Sequence, residues 1–332
     1  MTVLRNTLGW ILTIIGGLAA LPLAALRWFP DLQYSFDYAV YAATFIPFLW
    51  VFTVTLLIGL TLLLSGLGRL LAAGLLVIAA GFWGAPLIGS MEPADGADGE
   101  LQVVSINAEY GRADVAQILA EVRPSTTALV IQEFTPVMQR KLEEAGVAKQ
   151  FPYVEGAASD DASGTVIYSK LPMRKVAEHH EVFSNFVVEM TVTTSVGEQP
   201  VHLAAIHAAP PTMGADVWRR DARGIQDMLQ PFSGKPLMAV GDFNAVASHA
   251  TMRSLRDATK LVDPTSQNLI LNPRSQLTQW QPTWPVAHVI LPFARIDHML
   301  VWQGGAWSEP AYFRVDGTDH KGIRGGLWVH SR

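Results

Sequence analysis

Three stretches free of any charged side chain dominate the first ninety residues: Leu8–Leu26, Ala39–Gly68 and Leu70–Met91. Only Arg5, Arg27, Asp31, Asp37 and Arg69 interrupt that part of the chain. A helix needs about 20 apolar residues to cross the hydrocarbon layer of a bilayer, and each stretch is near or above that length. Pro22 and Pro47 fall inside two of them, which membrane helices tolerate better than soluble ones. A cleaved signal peptide would account for one such run but not for three. Residues 1–90 therefore read as an anchor of three transmembrane helices, about 8–26, 39–66 and 70–90. No ionisable residue lies near the centre of any of them, so an anchor fits better than a transport path.

Short-loop charge sets the expected orientation. Arg5 and Arg69 are separated by two crossings and both fit the cytoplasmic side. A third crossing then delivers everything after residue 91 to the extracytoplasmic face of a plasma or inner membrane. The chain has no cysteine, which is compatible with export without requiring it.

Half of all residues are hydrophobic and 16% are charged. Three of the 24 Lys and Arg and two of the 29 Asp and Glu lie before residue 91, so residues 91–332 carry a net charge of about −6, with all nine His. Phosphate contacts supply most non-specific nucleic-acid affinity. An acidic balance argues against a strong non-specific binder, although it leaves room for a local basic groove.

"MEPADGADGE", 91–100, reads as a linker. Beyond it the hydrophobic period changes. "LQVVSINA", "TALVIQE", "GTVIYSK", "FVVEMTVTT", "PVHLAAIHA", "PLMAVGDF", "RIDHMLVW", "AYFRV" and "GLWVHS" predict strands. "ADVAQILAEV", "PVMQRKLEEA" with Thr135 as its cap, the stretch around 215–230 and a segment from Ser248 predict helices. Several strands follow one another without an intervening helix. That order favours an α/β (α+β) four-layer sandwich over 101–332, two packed sheets flanked by helices, rather than one doubly wound sheet.

Polar residues recur where the predicted strands stop. Asn107 and Glu109 end the first, Glu133 the second, His207 and then Asp242 with Asn244 later ones. Asp297 opens a strand, and Asp319 with His320 precede the last. Taken singly, "GDFN" is an ordinary turn, since Asp and Asn tolerate left-handed backbone. A lone Glu133 is an exposed strand end or, equally, a metal ligand, and a lone His207 a satisfied, partly buried histidine. Six such sites together read instead as one rim on which side chains held by rigid strands converge.

"SINAE", "VIQEF", "IHAAPP", "GDFNA", "RIDHMLV" and "TDH" resemble, in order, the successive motifs of the endonuclease/exonuclease/phosphatase superfamily, the deoxyribonuclease I-like fold. The resemblance spans about residues 100–332 and implies hydrolysis of phosphate esters with Mg²⁺ or Mn²⁺. It places the metal at Glu133, with Asn107, Asp319 and Glu109 beside it. Glu109 stands where many members carry another acid. It makes Asp242 the group that orients or deprotonates the attacking water, and Asn244 and His207 donors to the phosphate. Asp297 and His320 become a buried acid–imidazole pair. Hard divalent ions prefer such oxygen donors.

Two departures stand out. Gly322 replaces the Pro expected after "DHK", which should loosen the loop beside His320. Lys170 stands where an Arg is common and lacks its bidentate fork. Trp280, Trp284 and Arg295 lie in the long stretch before Asp297, where the tryptophans line a substrate entrance or simply pack. The expected substrate is a phosphate ester, either a nucleic acid or a phospholipid headgroup of the sphingomyelin type. The competing class is a catalytically silent binding module, which predicts gaps among the rim residues; none is missing.

Overall fold

The computed structural model describes residues 2–84, 98–264, 282–286, 291–308 and 310–329. Their contacts fall into two units. One holds the N-terminal helices with Ser248–Ala250, and the other the rest of the chain from residue 98.

The first unit contains α1 (Thr2–Trp28), α2 (Asp37–Ala43), α3 (Leu49–Leu63) and α4 (Gly66–Gly84). Two helical stretches, Thr2–Trp28 and Ile46–Leu63, are long and apolar enough to cross a membrane. Within the second apolar run the spanning helix is Ile46–Leu63, shorter than the expected 39–66. Ala39–Gly68 is not one helix: α2 stops at Ala43, and Pro47 sits in a short 3₁₀ turn, Ile46–Phe48, before α3 begins. Proline cannot donate the backbone hydrogen bond a continuous helix would need there. The third run begins inside α4, a 19-residue helix from Gly66 to Gly84. The remainder of the third run, from residue 85, lies outside the described residues. α1 packs on α3 through small residues. A Cβ on Gly16 would stand 2.4 Å from the Leu56 amide nitrogen, and one on Gly59 2.5 Å from that of Thr13. Such close backbone approach is how helices associate where lipid removes the hydrophobic drive.

The second unit runs β1 (Asp98–Asn107), α5 (Val115–Ala120), β2 (Ala128–Gln132), α6 (Pro136–Glu144), α7 (Val147–Gln150), β3 (Tyr153–Ala157), β4 (Thr165–Ser169) and β5 (Met173–His179). It continues with β6 (Asn185–Thr194), β7 (Gly197–His207), α8 (Ala215–Leu229), β8 (Leu237–Asp242), α9 (Ala250–Thr259) and β9 (Leu261–Val262). It closes with β10 (Asp297–Trp302), β11 (Ala306–Trp307), β12 (Ala311–Arg314) and β13 (Lys321–Val329). Among the described residues, β11-β13-β1-β2-β4-β3 form one sheet, with β12 also on β13, and β5-β6-β7-β8-β10-β9 the other. Thr135 caps α6 as expected, its hydroxyl accepting from the Met138 amide at 3.3 Å.

The period of two explains both the core and the position of the site. Leu101 and Val103 of β1, Val201, Leu203 and Ala205 of β7, Met238 and Val240 of β8 and Met299 and Val301 of β10 share the core between the sheets. The alternate residues Val104, Ile106, Leu129 and Ile131 instead meet the helices, packing with Ile118 and Met138. Continuing the inward-facing parity to the strand ends gives Asn107, His207, Asp242 and Asp297. The same faces that bury aliphatic side chains therefore turn polar at one rim.

Candidate active site

Four strands bring their inward-facing polar ends together without help. Asp242 is the cross-strand partner of both His207 and Asp297. Glu133 needs a further device, because it follows β2 with the wrong parity. Its φ of 54° is the left-handed region that non-glycine residues seldom occupy. The Tyr110 amide donates to its Oε2 at 2.8 Å and Asn107 Nδ2 to its Oε1 at 3.1 Å, so the strained turn is held by hydrogen bonds. Asn107 Nδ2 also donates to Asp242 Oδ2 at 3.1 Å, linking the two carboxylates.

Two carboxylates placed directly opposite each other repel. His320 lies against both Asp242 and Asp297. Its Nδ1 is 3.0 Å from Asp297 Oδ2 and its Nε2 is 3.8 Å from Asp242 Oδ2. Burial alone would keep this imidazole neutral, but the Asp297 and Asp242 carboxylates overcome it and raise His320 above the ordinary histidine value. Burial pushes the Asp242 carboxyl up, opposed by His320 and reinforced by the Asp297 charge. His207 goes the other way. Its own burial, then the His320 charge, brings it down to about 3, so it is a neutral imidazole. Its Nε2 lies 3.9 Å from Glu133 Oε1 and 4.0 Å from Asp242 Oδ2.

The residues around these groups fix them. Asn185 accepts from the His207 amide at 2.7 Å and donates to the His207 carbonyl at 3.1 Å. Phe183 stacks on the His207 ring at 4.0 Å. Thr318 Oγ1 donates to the Asn107 carbonyl at 2.8 Å and accepts from the His320 amide at 3.1 Å, tying the two chain ends of the domain. Trp284 Nε1 donates to Asp319 Oδ2 at 2.8 Å. Behind the site, buried Arg295 reaches Asp263 at 2.8 Å, and His298 Nδ1 meets the same carboxylate at 3.3 Å. Apart from the Thr318–His320 contact, none of these supports is legible from residue type alone, because the partners lie far apart in sequence.

The "GDFN" turn is both a turn and part of the site. Gly241 has φ 136°, and a Cβ there would meet the Ile206 carbonyl oxygen at 2.1 Å, so glycine is required. Asn244 sits at φ 46°, its amide donating to Asp242 Oδ1 at 2.8 Å. Its side-chain Nδ2 donates to the Ala208 carbonyl at 2.8 Å and to Asp242 Oδ2 at 3.3 Å. Asn244 therefore ties the His207 and Asp242 loops together instead of offering a free amide. Phe243 is buried and meets the His298 ring edge-on. Trp218, buried on α8, donates its indole N–H to the Asn244 carbonyl at 3.1 Å. Trp218→Phe removes that donor from a buried acceptor and is expected to cost about 1–3 kcal/mol. A lowered thermal midpoint by near-ultraviolet circular dichroism checks it, and an unchanged midpoint rejects the role.

Other expected site residues differ. Asn107 Oδ1 accepts from the Glu109 amide at 3.0 Å, while its Nδ2 donates to the Glu133 and Asp242 carboxylates. The Glu109 carboxylate pairs with Arg112 at 2.8 Å. Gly322 does not loosen a loop: it lies within β13, and a Cβ there would stand 2.1 Å from the Phe313 ring. Lys170 donates to the Pro124 carbonyl at 2.6 Å, a structural contact. Trp280 lies outside the described residues.

The donor set suits a hard cation. Glu133, Asp242, Asp297 and Asp319 meet with one raised imidazole between three of them. Asp242, Asp297 and His320 each offer an atom within 4.8 Å of the others. Both Asp297 oxygens lie within 3.3 Å of His320 Nδ1, so that trio is better occupied by its own proton. The Asp319 side chain is 38% exposed and that of Glu133 13%.

The sequence matches the profile of the Endonuclease/Exonuclease/phosphatase family over residues 104–320. Among solved structures, an endonuclease/exonuclease/phosphatase from Beutenbergia cavernae is 17% identical, with a TM-score of 0.51 over 70% of this chain and 72% of that one. Sphingomyelinase C from Streptomyces griseocarneus is 16% identical, with a TM-score of 0.47 over 68% of this chain and 99% of that one. TDP2 of D. rerio, in complex with a single-strand DNA product, is 15% identical, with a TM-score of 0.48 over 69% and 99%. No curated protein matches the chain. Two mixed sheets with outer helices, one polar rim and a profile match across that rim together make this chain a member of the Endonuclease/Exonuclease/phosphatase family, a family of phosphoesterases.

Proposed function

We propose that this protein is a phosphodiester hydrolase that uses Mg²⁺ or Mn²⁺, held to a membrane by its N-terminal helices with the hydrolase on the extracytoplasmic side. One observation carries the reading: Asn107 joins Glu133 to Asp242 beside the Asp297–His320 pair. Glu133 and Asp319 would hold the cation, with Asn107 orienting Glu133. When bound, the cation polarises a non-bridging phosphate oxygen and steadies the leaving alkoxide.

The chain's own groups do the remainder. Asp242, with its raised carboxyl pKa, accepts the hydrogen bond of the attacking water and aligns it. Asp297 fixes the His320 ring, and the imidazolium Nε2 faces the developing charge on phosphorus-bound oxygen. His207, kept neutral by burial, adds an N–H donor on the other side of Asp242.

The experiment is a substrate screen of the full chain in detergent with Mn²⁺ or Mg²⁺. It covers single- and double-stranded DNA, RNA, sphingomyelin, phosphoinositides and bis(p-nitrophenyl) phosphate. The expected result is hydrolysis of at least one; none, or hydrolysis that survives EDTA, contradicts the reading. Sphingomyelin and phosphoinositides belong in the screen because two helices of this chain can cross a bilayer. For topology, a periplasmically active reporter fused after residue 95 is expected to be active, and a cytoplasmic one silent. The reverse pattern rejects the orientation.

A further inference from the structure

Residues 283–286 touch Asp297 and Asp319 and bond Lys321, the residue after His320. Thr283 Oγ1 accepts from the Asp297 amide at 3.1 Å, and its carbonyl accepts from the Lys321 amide, next to His320, at 2.9 Å. The Val286 amide donates to the Asp319 carbonyl at 2.7 Å. Between them, the Trp284 indole N–H donates to Asp319 Oδ2 at 2.8 Å.

The indole is held from behind, independently of Asp319. The Trp284 amide donates to the Ala294 carbonyl at 2.9 Å, and its own carbonyl accepts from the Ala294 amide at 3.0 Å. Phe293 packs edge-on against the ring, with centroids 5.8 Å apart. Asp319, by contrast, is the most exposed carboxylate of the site. A half-exposed aspartate on a turn samples several rotamers unless something pins it. The indole has a single donor. Spending it on Oδ2 leaves Oδ1, 3.7 Å from His320 Nε2, turned to the site interior.

We infer that Trp284 is a positioning residue that presets the Asp319 carboxylate for the divalent cation. This rests on the reading in which Asp319 helps hold that cation. Outer partners of ligand side chains typically change metal affinity by about 10–100-fold. Trp284→Phe keeps most of the ring and removes only the donor.

The test measures free Mn²⁺ by electron paramagnetic resonance during titration of the full chain in detergent, without substrate. The expected result is an Mn²⁺ dissociation constant raised about 10–100-fold in Trp284→Phe, as for other outer-shell partners. Turnover at saturating Mn²⁺ is expected to be largely retained, and the metal-free thermal midpoint close to wild type. Terbium supplies a second readout: Tb³⁺ emission excited through indole is expected in wild type and is lost in Trp284→Phe and in Asp319→Asn. Wild type that binds Mn²⁺ while Trp284→Phe binds it equally well overturns the inference and leaves the hydrolase reading standing. Wild type that binds neither Mn²⁺ nor Tb³⁺ overturns the hydrolase reading first. If Trp284→Phe and a second variant, Trp284→Tyr, both unfold without metal, Trp284 is a packing residue and the inference fails.

Discussion

Asp242→Asn is expected to lower hydrolysis by about 10²–10⁴-fold, the usual worth of a positioned general base, while the fold survives. The substitution preserves size and leaves an acceptor for the Asn244 amide, which now bonds Oδ1 at 2.8 Å. What disappears is the charge that faces His320 Nε2 at 3.8 Å and the oxygen Oδ2, which accepts from Asn107 and Asn244 and would align water. Burial holds the wild-type carboxyl above its ordinary pKa, so it binds a proton near neutral pH more readily than an exposed aspartate. That is the property a base needs and an amide lacks. Initial rates on bis(p-nitrophenyl) phosphate, paired with circular dichroism, decide it. A folded variant within tenfold of wild type would remove Asp242 from the chemistry.

Glu133→Gln should act through the cation instead. Glu133 stands on a strained φ of 54° and is fixed by Asn107 and the Tyr110 amide, so the geometry of the side chain largely persists in the variant. The negative charge goes, with one of the two acceptors that now take hydrogen bonds from Asn107 and the Tyr110 amide. A ligand should matter more than an outer-shell partner, so the half-saturating Mn²⁺ concentration is expected to rise by more than the about 10–100-fold typical of the latter. Excess Mn²⁺ should restore part of the rate. Chelation of wild type by EDTA should abolish hydrolysis, with recovery on adding Mg²⁺ or Mn²⁺. Equal Mn²⁺ dependence in Glu133→Gln and wild type would place the cation elsewhere in the rim.

The contrast between these two variants is a contrast between two acids of one small site. Asp242 is 2% exposed and lies opposite another carboxylate, with an imidazole against both. Glu133 is 13% exposed and takes its hydrogen bonds from Asn107 and the Tyr110 amide. Environment, not residue type, separates a proton-handling acid from a metal-facing one.

Short apolar runs marked the strands of the two sheet interiors, several of them buried on both faces, and the sequence by itself named the rim residues that end them. It could not supply β3, β5, β9 and β11. These are the four edges of the two sheets: β3 and β5 have no fully buried residue, and β9 and β11 are buried two-residue strands too short to show a period. The apolar runs marked the N-terminal helices, yet where the second run breaks, between Ala43 and Leu49, depended on local backbone geometry around Pro47. Tertiary structure alone decided which donors were already spent. Asn244 bonds Ala208, Glu109 pairs with Arg112, and Asn107 turns its amide N–H to Glu133 and Asp242. It also brought Trp284 to Asp319, 35 residues away. A hydrogen bond is a property of two positions in space, whereas periodicity belongs to a chain read one residue at a time. The first therefore stays hidden until the strands are paired.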